Sequence, residues 1–142
     1  MPIKIIDHNS PEYDQMVDLR KQILRKPLGL DFTPEELENE ANNILIALFE
    51  EDEILGCCML TKIDAATIKL RQMAIKSGLQ GKGVGRVILQ FAENIARDRS
   101  YTKMTMHARK TAIGFYDKLG YKVEGNEFEE VTVPHYTMEK DL

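Results

Sequence analysis

The chain has 142 residues, of which 43% are hydrophobic and 30% are charged, and its formal net charge is −4 at pH 7. This size and composition are typical of a globular protein, and we expect a single domain over residues 1–142. The acidic balance argues against a broad nucleic-acid-binding surface, and no apolar run approaches the roughly 20 residues that span a bilayer. The first residues lack the apolar stretch of a secretory signal, so we expect a cytoplasmic protein that binds neither nucleic acid nor membrane.

The cysteines and histidines do not form a metal-binding pattern. Cys57 and Cys58 are adjacent and would point to opposite faces of a regular strand, which excludes a disulfide between them. His8, His107 and His135 are far apart in sequence. Because structural zinc sites use closely spaced Cys and His ligands, we expect no bound metal. We expect both cysteines to be packed as free thiols in a reducing compartment.

Hydrophobic periodicity predicts two helices and four strands in the first half of the chain. Ser10 before Pro11 is typical of a helix start, and Thr33 with Glu36 forms a capping box. The expected elements are strands at 2–6, 43–50, 54–62 and 67–76, with helices from residue 10 and from residue 33 to about 41.

The second half begins with the best helix of the sequence, at about 83–97, whose apolar residues follow the 3.6-residue period. The expected elements after it are a strand at 102–107, a helix at 111–119 and strands at 121–123 and 134–140. The predicted order βααβββαβαββ indicates a mixed α/β domain.

The segment Gln80–Gly85 has three alternating glycines between a predicted strand and the best helix. Glycines let the backbone approach a ligand closely, and the following helix start offers unpaired N–H groups to a phosphate. The spacing fits neither a P-loop nor a dinucleotide fingerprint, which argues against a nucleotide-phosphate binder. A glycine turn that only eases helix packing is the structural alternative.

Gln80, Gly83 and Gly85 match the Gln/Arg-x-x-Gly-x-Gly/Ala signature, and on this basis the chain resembles the GNAT superfamily of acetyl-CoA-dependent N-acetyltransferases. Residues 112–121 resemble the second motif of that family, in which a helix ends in Tyr, a few residues, Gly and an aromatic residue. The tail at 130–138 is similar to the ElaA-like branch. The resemblance covers residues 43–142 and implies an acyl-CoA N-acyltransferase fold, an α/β fold with a central, mostly antiparallel sheet of about six or seven strands and about four helices.

The resemblance also implies which residues bind acetyl-CoA as cosubstrate. The strand before the loop would pair its backbone with the pantetheine arm, and backbone N–H groups of the loop would hold the pyrophosphate. Arg109 stands where many family members carry asparagine, which leaves acyl groups other than acetyl open. The implied coenzyme-binding residues are Met73, Ala74, Ile75, Gln80, Gly81, Lys82, Gly83, Val84, Gly85, Arg86, Arg109 and Tyr116.

Acetyl transfer to an amine needs a proton acceptor for the amine and a proton donor for the departing thiolate. The resemblance implies that Tyr116 is the donor; the alternative is that it only packs beside Phe115. The proton acceptor is left open among four residues. These candidates are Glu129, Glu130, His107 and His135.

We therefore expect an N-acetyltransferase that moves the acetyl group of acetyl-CoA to a primary amine of a small molecule or peptide by direct nucleophilic attack. The alternative is a non-catalytic acyl-CoA-binding sensor or interaction module. A homodimer is implied by the resemblance alone.

Overall fold

The computed structural model describes residues 2–142, which form seven strands and four α-helices. The strands are β1 (Ile3–Ile6), β2 (Ile44–Glu50), β3 (Glu53–Lys62), β4 (Thr67–Ile75), β5 (Lys103–Arg109), β6 (Lys122–Glu130) and β7 (Val133–Asp141). The helices are α1 (Pro11–Arg20), α2 (Pro34–Glu38), α3 (Val84–Asp98) and α4 (Ile113–Lys118). The predicted order of elements is confirmed.

One sheet holds the seven strands in the order β1-β2-β3-β4-β5-β7-β6. Strands β4 and β5 are parallel, with α3 as the connection that parallel neighbours require. The antiparallel pairs include β1 with β2, β2 with β3, β5 with β7 and β6 with β7. The mostly antiparallel α/β sheet that the sequence predicts is therefore present.

Both predicted helix starts are confirmed. The Ser10 hydroxyl accepts a hydrogen bond from the Tyr13 N–H at 3.1 Å, and Thr33 and Glu36 form the reciprocal bonds of a capping box. Helix α1 continues into a π-helical turn at Lys21–Arg25 and a short 3₁₀ turn at Lys26–Leu28. Helix α2 ends earlier than predicted.

The β2–β3 hairpin has a two-residue turn without the usual Asn-Gly signal. Glu51 and Asp52 both have positive φ, at 49° and 66°. Two left-handed residues give the turn a twist that matches the flanking strands, so the hairpin forms at some cost in backbone strain.

Strand β6 departs most from the sequence prediction, because it extends from Lys122 to Glu130 where only 121–123 were predicted. Nearly all of its residues are exposed, so it lacks the alternation of buried and exposed side chains that identifies a strand in sequence. Pairing with β7 is what defines it.

The chain divides into two compact units, each with its own buried residues. The first contains the described residues up to Leu60 together with Gln72–Ala92; the second contains Thr61–Arg71 and Glu93–Leu142. Buried side chains of α1, β2 and β3 form much of the apolar core of the first unit. No helix within residues 2–142 has both the length and the apolar character needed to cross a membrane.

Candidate functional site

The glycine loop of the first unit has the backbone conformation that its sequence demands. Gly81 and Gly83 have φ values of 79° and 86°, which side chains other than glycine adopt only with strain. Apart from the glycine itself and its two chain neighbours, no heavy atom lies within 4 Å of the position that a Cβ would take at either residue, so the loop surface above them is open. A ligand can therefore approach the bare backbone here.

Helix α3 starts directly after this loop. Its first hydrogen bond joins the Val87 N–H to the Gly83 carbonyl at 3.1 Å. The N–H groups of Val84, Gly85 and Arg86 precede that bond and have no acceptor within the helix. Together with the positive end of the helix dipole, they suit an anionic group such as a pyrophosphate.

Gln80 holds the loop in shape from within. Its side-chain amide donates to the Ile75 carbonyl at 3.0 Å, and its amide oxygen accepts from the Gly78 N–H at 3.0 Å. The end of β4 and the start of the loop are thus joined by one side chain. An ion pair between Lys76 and Glu53 lies beside this junction. Sequence reasoning assigned Gln80 to the coenzyme site without this bridging role.

Strand β4 carries a backbone irregularity just before the residues predicted to pair with pantetheine. Gln72 has a φ of 56°, which is rare for a side chain of its size. Its carbonyl accepts a weak bond from the Cys57 thiol at 3.7 Å. Ala74 is buried, whereas Met73 and Ile75 are half-buried. The positive φ had no signal in the sequence.

Tyr116 is a buried residue of the second unit, placed by α4. Its ring contacts those of Phe115 and Tyr121 edge-on, with centroid separations of 5.0 and 5.9 Å. Tyr121 is itself held because its hydroxyl donates to Glu93 Oε2 at 2.8 Å, and burial followed by the Glu93 charge raises its pKa. Tyr116 therefore has a fixed ring position, which suits both a packing role and a positioned proton donor.

The structure groups three of the four candidate proton acceptors and places the fourth apart. His107, Glu130 and His135 form one cluster: Nδ1 of His107 is 2.9 Å from Glu130 Oε1, and Nε2 of His135 is 3.7 Å from Glu130 Oε2. Glu129 is exposed and, as the neighbour of Glu130 in a strand, points to the opposite face of β6. Nothing in the spacing of these residues predicted the cluster, because it depends on the register of β5, β6 and β7.

Two residues complete this cluster, and neither was proposed as functional from the sequence. Lys69 Nζ lies 3.3 Å from Nδ1 of His107. The ring of Phe128 is edge-on to His107 at 4.9 Å and stacked on His135 at 6.0 Å. Burial opposes ionisation of Glu130, but the His107 hydrogen bond and the positive charges around it outweigh burial and lower the pKa of the carboxyl group.

The other sequence-predicted residues have different surroundings. Arg109 ends β5 opposite His135 in the β5–β7 register. Lys82 is exposed and Arg86 is an exposed residue of the first turn of α3. Cys57 and Cys58 are free and buried. Among residues 2–142, no group of three or more Cys, His, Asp or Glu side chains has the arrangement of a metal site.

Comparisons with known proteins agree on one family. A family model described as an acetyltransferase (GNAT) domain matches residues 18–142. The uncharacterized protein YyaT of Bacillus subtilis strain 168 is 30% identical over 106 residues, which cover 75% of this chain and 70% of that protein.

Two solved structures share this fold over nearly their whole length. An aminoglycoside 6′-N-acetyltransferase complexed with coenzyme A superposes with a TM-score of 0.84 at 20% identity, covering 99% of this chain and 97% of that one. ElaA of Escherichia coli superposes with a TM-score of 0.83 at 16% identity, covering 99% of both chains. At these identities the likeness establishes the fold, and it supports the ElaA-like resemblance at that level.

Proposed function

Because the chain belongs to the GNAT family of acetyltransferases, we propose that it transfers the acetyl group of acetyl-CoA to a primary amine of a small molecule or peptide. The observation that carries this proposal is the loop at 80–86, where open glycine backbone meets the free N–H groups of a helix start. This arrangement fits a pyrophosphate, and its spacing matches the family signature.

Coenzyme A would contact the first unit mainly through backbone atoms. The N–H groups of Val84, Gly85 and Arg86 would bind the pyrophosphate, with Lys82 adding positive charge, and the backbone of 73–75 would pair with the pantetheine arm. A related fold has been solved with coenzyme A bound, which supports a cosubstrate of this class. Arg109 offers a charged donor where many family members carry asparagine, and such a donor would suit an acyl group that bears a carboxylate.

The chemistry proceeds by direct attack of the amine on the thioester carbon. A carbon–nitrogen bond forms, the carbon–sulfur bond breaks, the amine loses a proton to a base and the coenzyme thiolate takes one from an acid. An acyl-enzyme on a cysteine is disfavoured, because burial raises the pKa of Cys57 to about 12 and also raises that of Cys58, so neither thiol is ionised.

Tyr116 is the proposed proton donor to the thiolate. A phenol has an ordinary pKa of about 10, close to the roughly 8.5 of a thiol, so it can donate its proton to the sulfur as negative charge develops there. Contacts with Phe115 and Tyr121 hold the ring in place, so the proton is presented in one position. The family resemblance implies the role of proton donor, and the fixed position of the Tyr116 ring supports it.

Replacement of Tyr116 by Phe tests this function. We expect kcat to fall by about 10²- to 10⁴-fold, while the dissociation constant for acetyl-CoA stays within about twofold, since the ring packing is kept. Mass spectrometry would follow acetylated product from a panel of a polyamine, an amino acid, an aminosugar and a lysine peptide. Tyr101→Phe, at a tyrosine outside both motifs, is the matched control.

The outcomes separate the two candidate functions. Acetylated product from the wild type with a slow Tyr116→Phe variant supports the enzyme. Acetyl-CoA binding without product from any amine would favour the non-catalytic sensor instead. Product formation at an undiminished rate in the Tyr116→Phe variant would contradict the donor role while leaving the activity in place.

We also propose that the protein acts in the cytoplasm as a homodimer. Two free, buried thiols are compatible with a reducing compartment, and the dimer follows from the resemblance alone. Cell fractionation and light scattering at several protein concentrations would test these two points.

A further inference from the structure

Glu130 lies on one face of the second unit's sheet between two histidine rings. Alternation along the strands puts His107 of β5, His135 of β7 and Glu130 of β6 on the same face, and their contacts confirm it. The buried residues of β5 that alternate with His107, including Met104, lie on the other face, where Met104 contacts Tyr121. Tyr116, which packs against Tyr121, therefore lies on the face opposite the cluster.

The contact between His107 and Glu130 fixes which ring nitrogen carries the proton. A carboxylate can only accept, so Nδ1 at 2.9 Å from Glu130 Oε1 must be the N–H donor. The neutral ring then has its lone pair on Nε2. Within the described part of the chain, Nε2 makes no hydrogen bond to protein, and a third of the His107 side chain is exposed.

Lys69 does not reverse this assignment. Its ammonium could donate to Nδ1 at 3.3 Å only if that nitrogen were bare, and a bare nitrogen would then face the Glu130 carboxylate at the shorter distance. The opposite charges of Lys69 and Glu130 instead stabilise each other beside the ring. Arg71 adds a second positive charge near Lys69.

His135 differs from His107 because it cannot reach a ligand. Its side chain is only 4% exposed, and its Nδ1 donates to the Val133 carbonyl at 2.9 Å. Stacking on Phe128 holds the ring behind the Glu130 carboxylate. Of the three residues, only His107 combines an exposed ring, a free basic nitrogen and a carboxylate that orients it.

We propose that His107 Nε2 accepts the proton of the attacking primary amine, and that Glu130 is the positioning residue that orients the His107 ring. The inference rests on the proposed function. In it the amine arrives as an ammonium ion, one N–H proton passes to Nε2 of His107, and the freed lone pair attacks the thioester carbon. As the carbon–sulfur bond breaks, the nitrogen loses its second proton to solvent and the thiolate takes a proton from Tyr116, which solvent then restores. The imidazolium that forms is stabilised by the Glu130 carboxylate. The charged groups that face the ring are Glu130 and Lys69, with His135 behind the carboxylate.

The pH profile of His107→Gln distinguishes a proton acceptor from a structural residue. At pH 7 we expect kcat/KM to fall by about 10²- to 10⁴-fold. The deficit should shrink as the pH rises toward the pKa of the amine, because solvent then supplies the deprotonated nucleophile. A residue that only supports the fold would give the same deficit at every pH. His8→Gln, which changes a histidine of the first unit, is the matched control.

Glu130→Gln tests the positioning role, and Glu124→Gln is the matched control because it removes another exposed carboxylate of β6. We expect a smaller loss of kcat/KM for Glu130→Gln than for His107→Gln, no further loss in the double variant, and wild-type rates for Glu124→Gln. Nitrogen NMR of the imidazoles gives a readout without turnover: His107 should be protonated at Nδ1 in the wild type, and this preference should weaken in Glu130→Gln.

The results separate this inference from the proposed function. Product formation by His107→Gln at wild-type rate, or with a pH-independent deficit, would overturn the inference and leave the acetyltransferase intact. Protonation of His107 at Nε2 in the wild type would also overturn it. Absence of product from the wild type with every amine in the panel would overturn the proposed function, and the assignment of the base with it.

Discussion

At the scale of single residues, the side chain of Gln80 fixes the conformation of the glycine loop. Its amide joins the carbonyl of Ile75 to the N–H of Gly78, so the end of β4 and the loop take one conformation. A loop that is ordered before binding loses less entropy when a ligand arrives. We therefore expect Gln80 to support acetyl-CoA affinity through the backbone that it holds.

Replacing Gln80 by Ala should weaken acetyl-CoA binding by about tenfold, equivalent to about 1.4 kcal/mol. Both hydrogen bonds are lost, and each contributes roughly 0.5–1.5 kcal/mol to the ordered loop. Titration calorimetry would measure the change, with Gln90→Ala on the exposed side of α3 as the control. Equal affinities for Gln80→Ala and the wild type would show that the loop needs no such bridge.

At the scale of elements, the start of α3 is positioned by a glycine on a neighbouring strand. A Cβ at Gly56 of β3 would lie 2.6 Å from Cδ1 of Ile88 and 3.1 Å from side-chain atoms of Ile75 and Val84. Only glycine lets the helix approach the strand this closely. The helix start that offers its N–H groups is therefore set by packing far from the loop in sequence.

Gly56→Val should lower the free energy of unfolding by about 1–3 kcal/mol, because added atoms overpack a buried junction. Gly114→Ala is a contrasting control: it has open space around its Cβ position and lies in α4, so the change should stabilise by roughly 0.5–1 kcal/mol. Urea denaturation of both variants would measure these changes in the free energy of unfolding. A Gly56→Val protein as stable as the wild type would mean that α3 moves away at no cost.

The extent of an element was predictable from the sequence where the element buries one face, and it was underestimated for β6, which does not. The amphipathic α3 was predicted to within one residue at each end. Most of β6, in contrast, is exposed and exists because it pairs with β7. The left-handed conformation of Glu51 and Asp52 in the β2–β3 turn also had no signal in the sequence, because neither residue is Gly or Asn.

At the scale of the whole molecule, each unit buries polar groups inside hydrogen-bonded networks. In the first, Arg20 forms a bidentate pair with Glu40, and the Tyr13 hydroxyl donates to the same carboxylate at 2.7 Å. In the second, Tyr121 donates to Glu93. Burial and the adjacent carboxylates raise the pKa of both tyrosines, so their neutral forms are part of the folded state.

Stability should consequently decrease in alkaline solution. Tyr13, Tyr121, Cys57 and Cys58 all have raised pKa values, so above pH 9 to 10 the unfolded chain releases protons that the folded chain retains. The free energy of unfolding should fall by about 1.4 kcal/mol per pH unit for each group that titrates only in the unfolded chain. Urea midpoints at pH 8 and pH 11 would measure the loss, and equal midpoints would contradict it.

The candidate site was predictable where it depends on local sequence. The glycine loop and the motif tyrosine were found because each lies within one short segment. The grouping of His107, Glu130 and His135 was not, because it arises from the pairing of three strands and from the part of β6 beyond residue 123, which the sequence did not predict. Lys69 and Phe128 were missed for the same reason.

The most direct test of the account is titration calorimetry of the full chain with acetyl-CoA, with ATP and NAD as comparison ligands. The glycine loop and the start of α3 predict one acetyl-CoA bound per chain, with no saturable binding of ATP or NAD. Failure to bind acetyl-CoA, or equal binding of all three, would contradict the assignment of the loop at 80–86 and remove the main support for acetyl transfer.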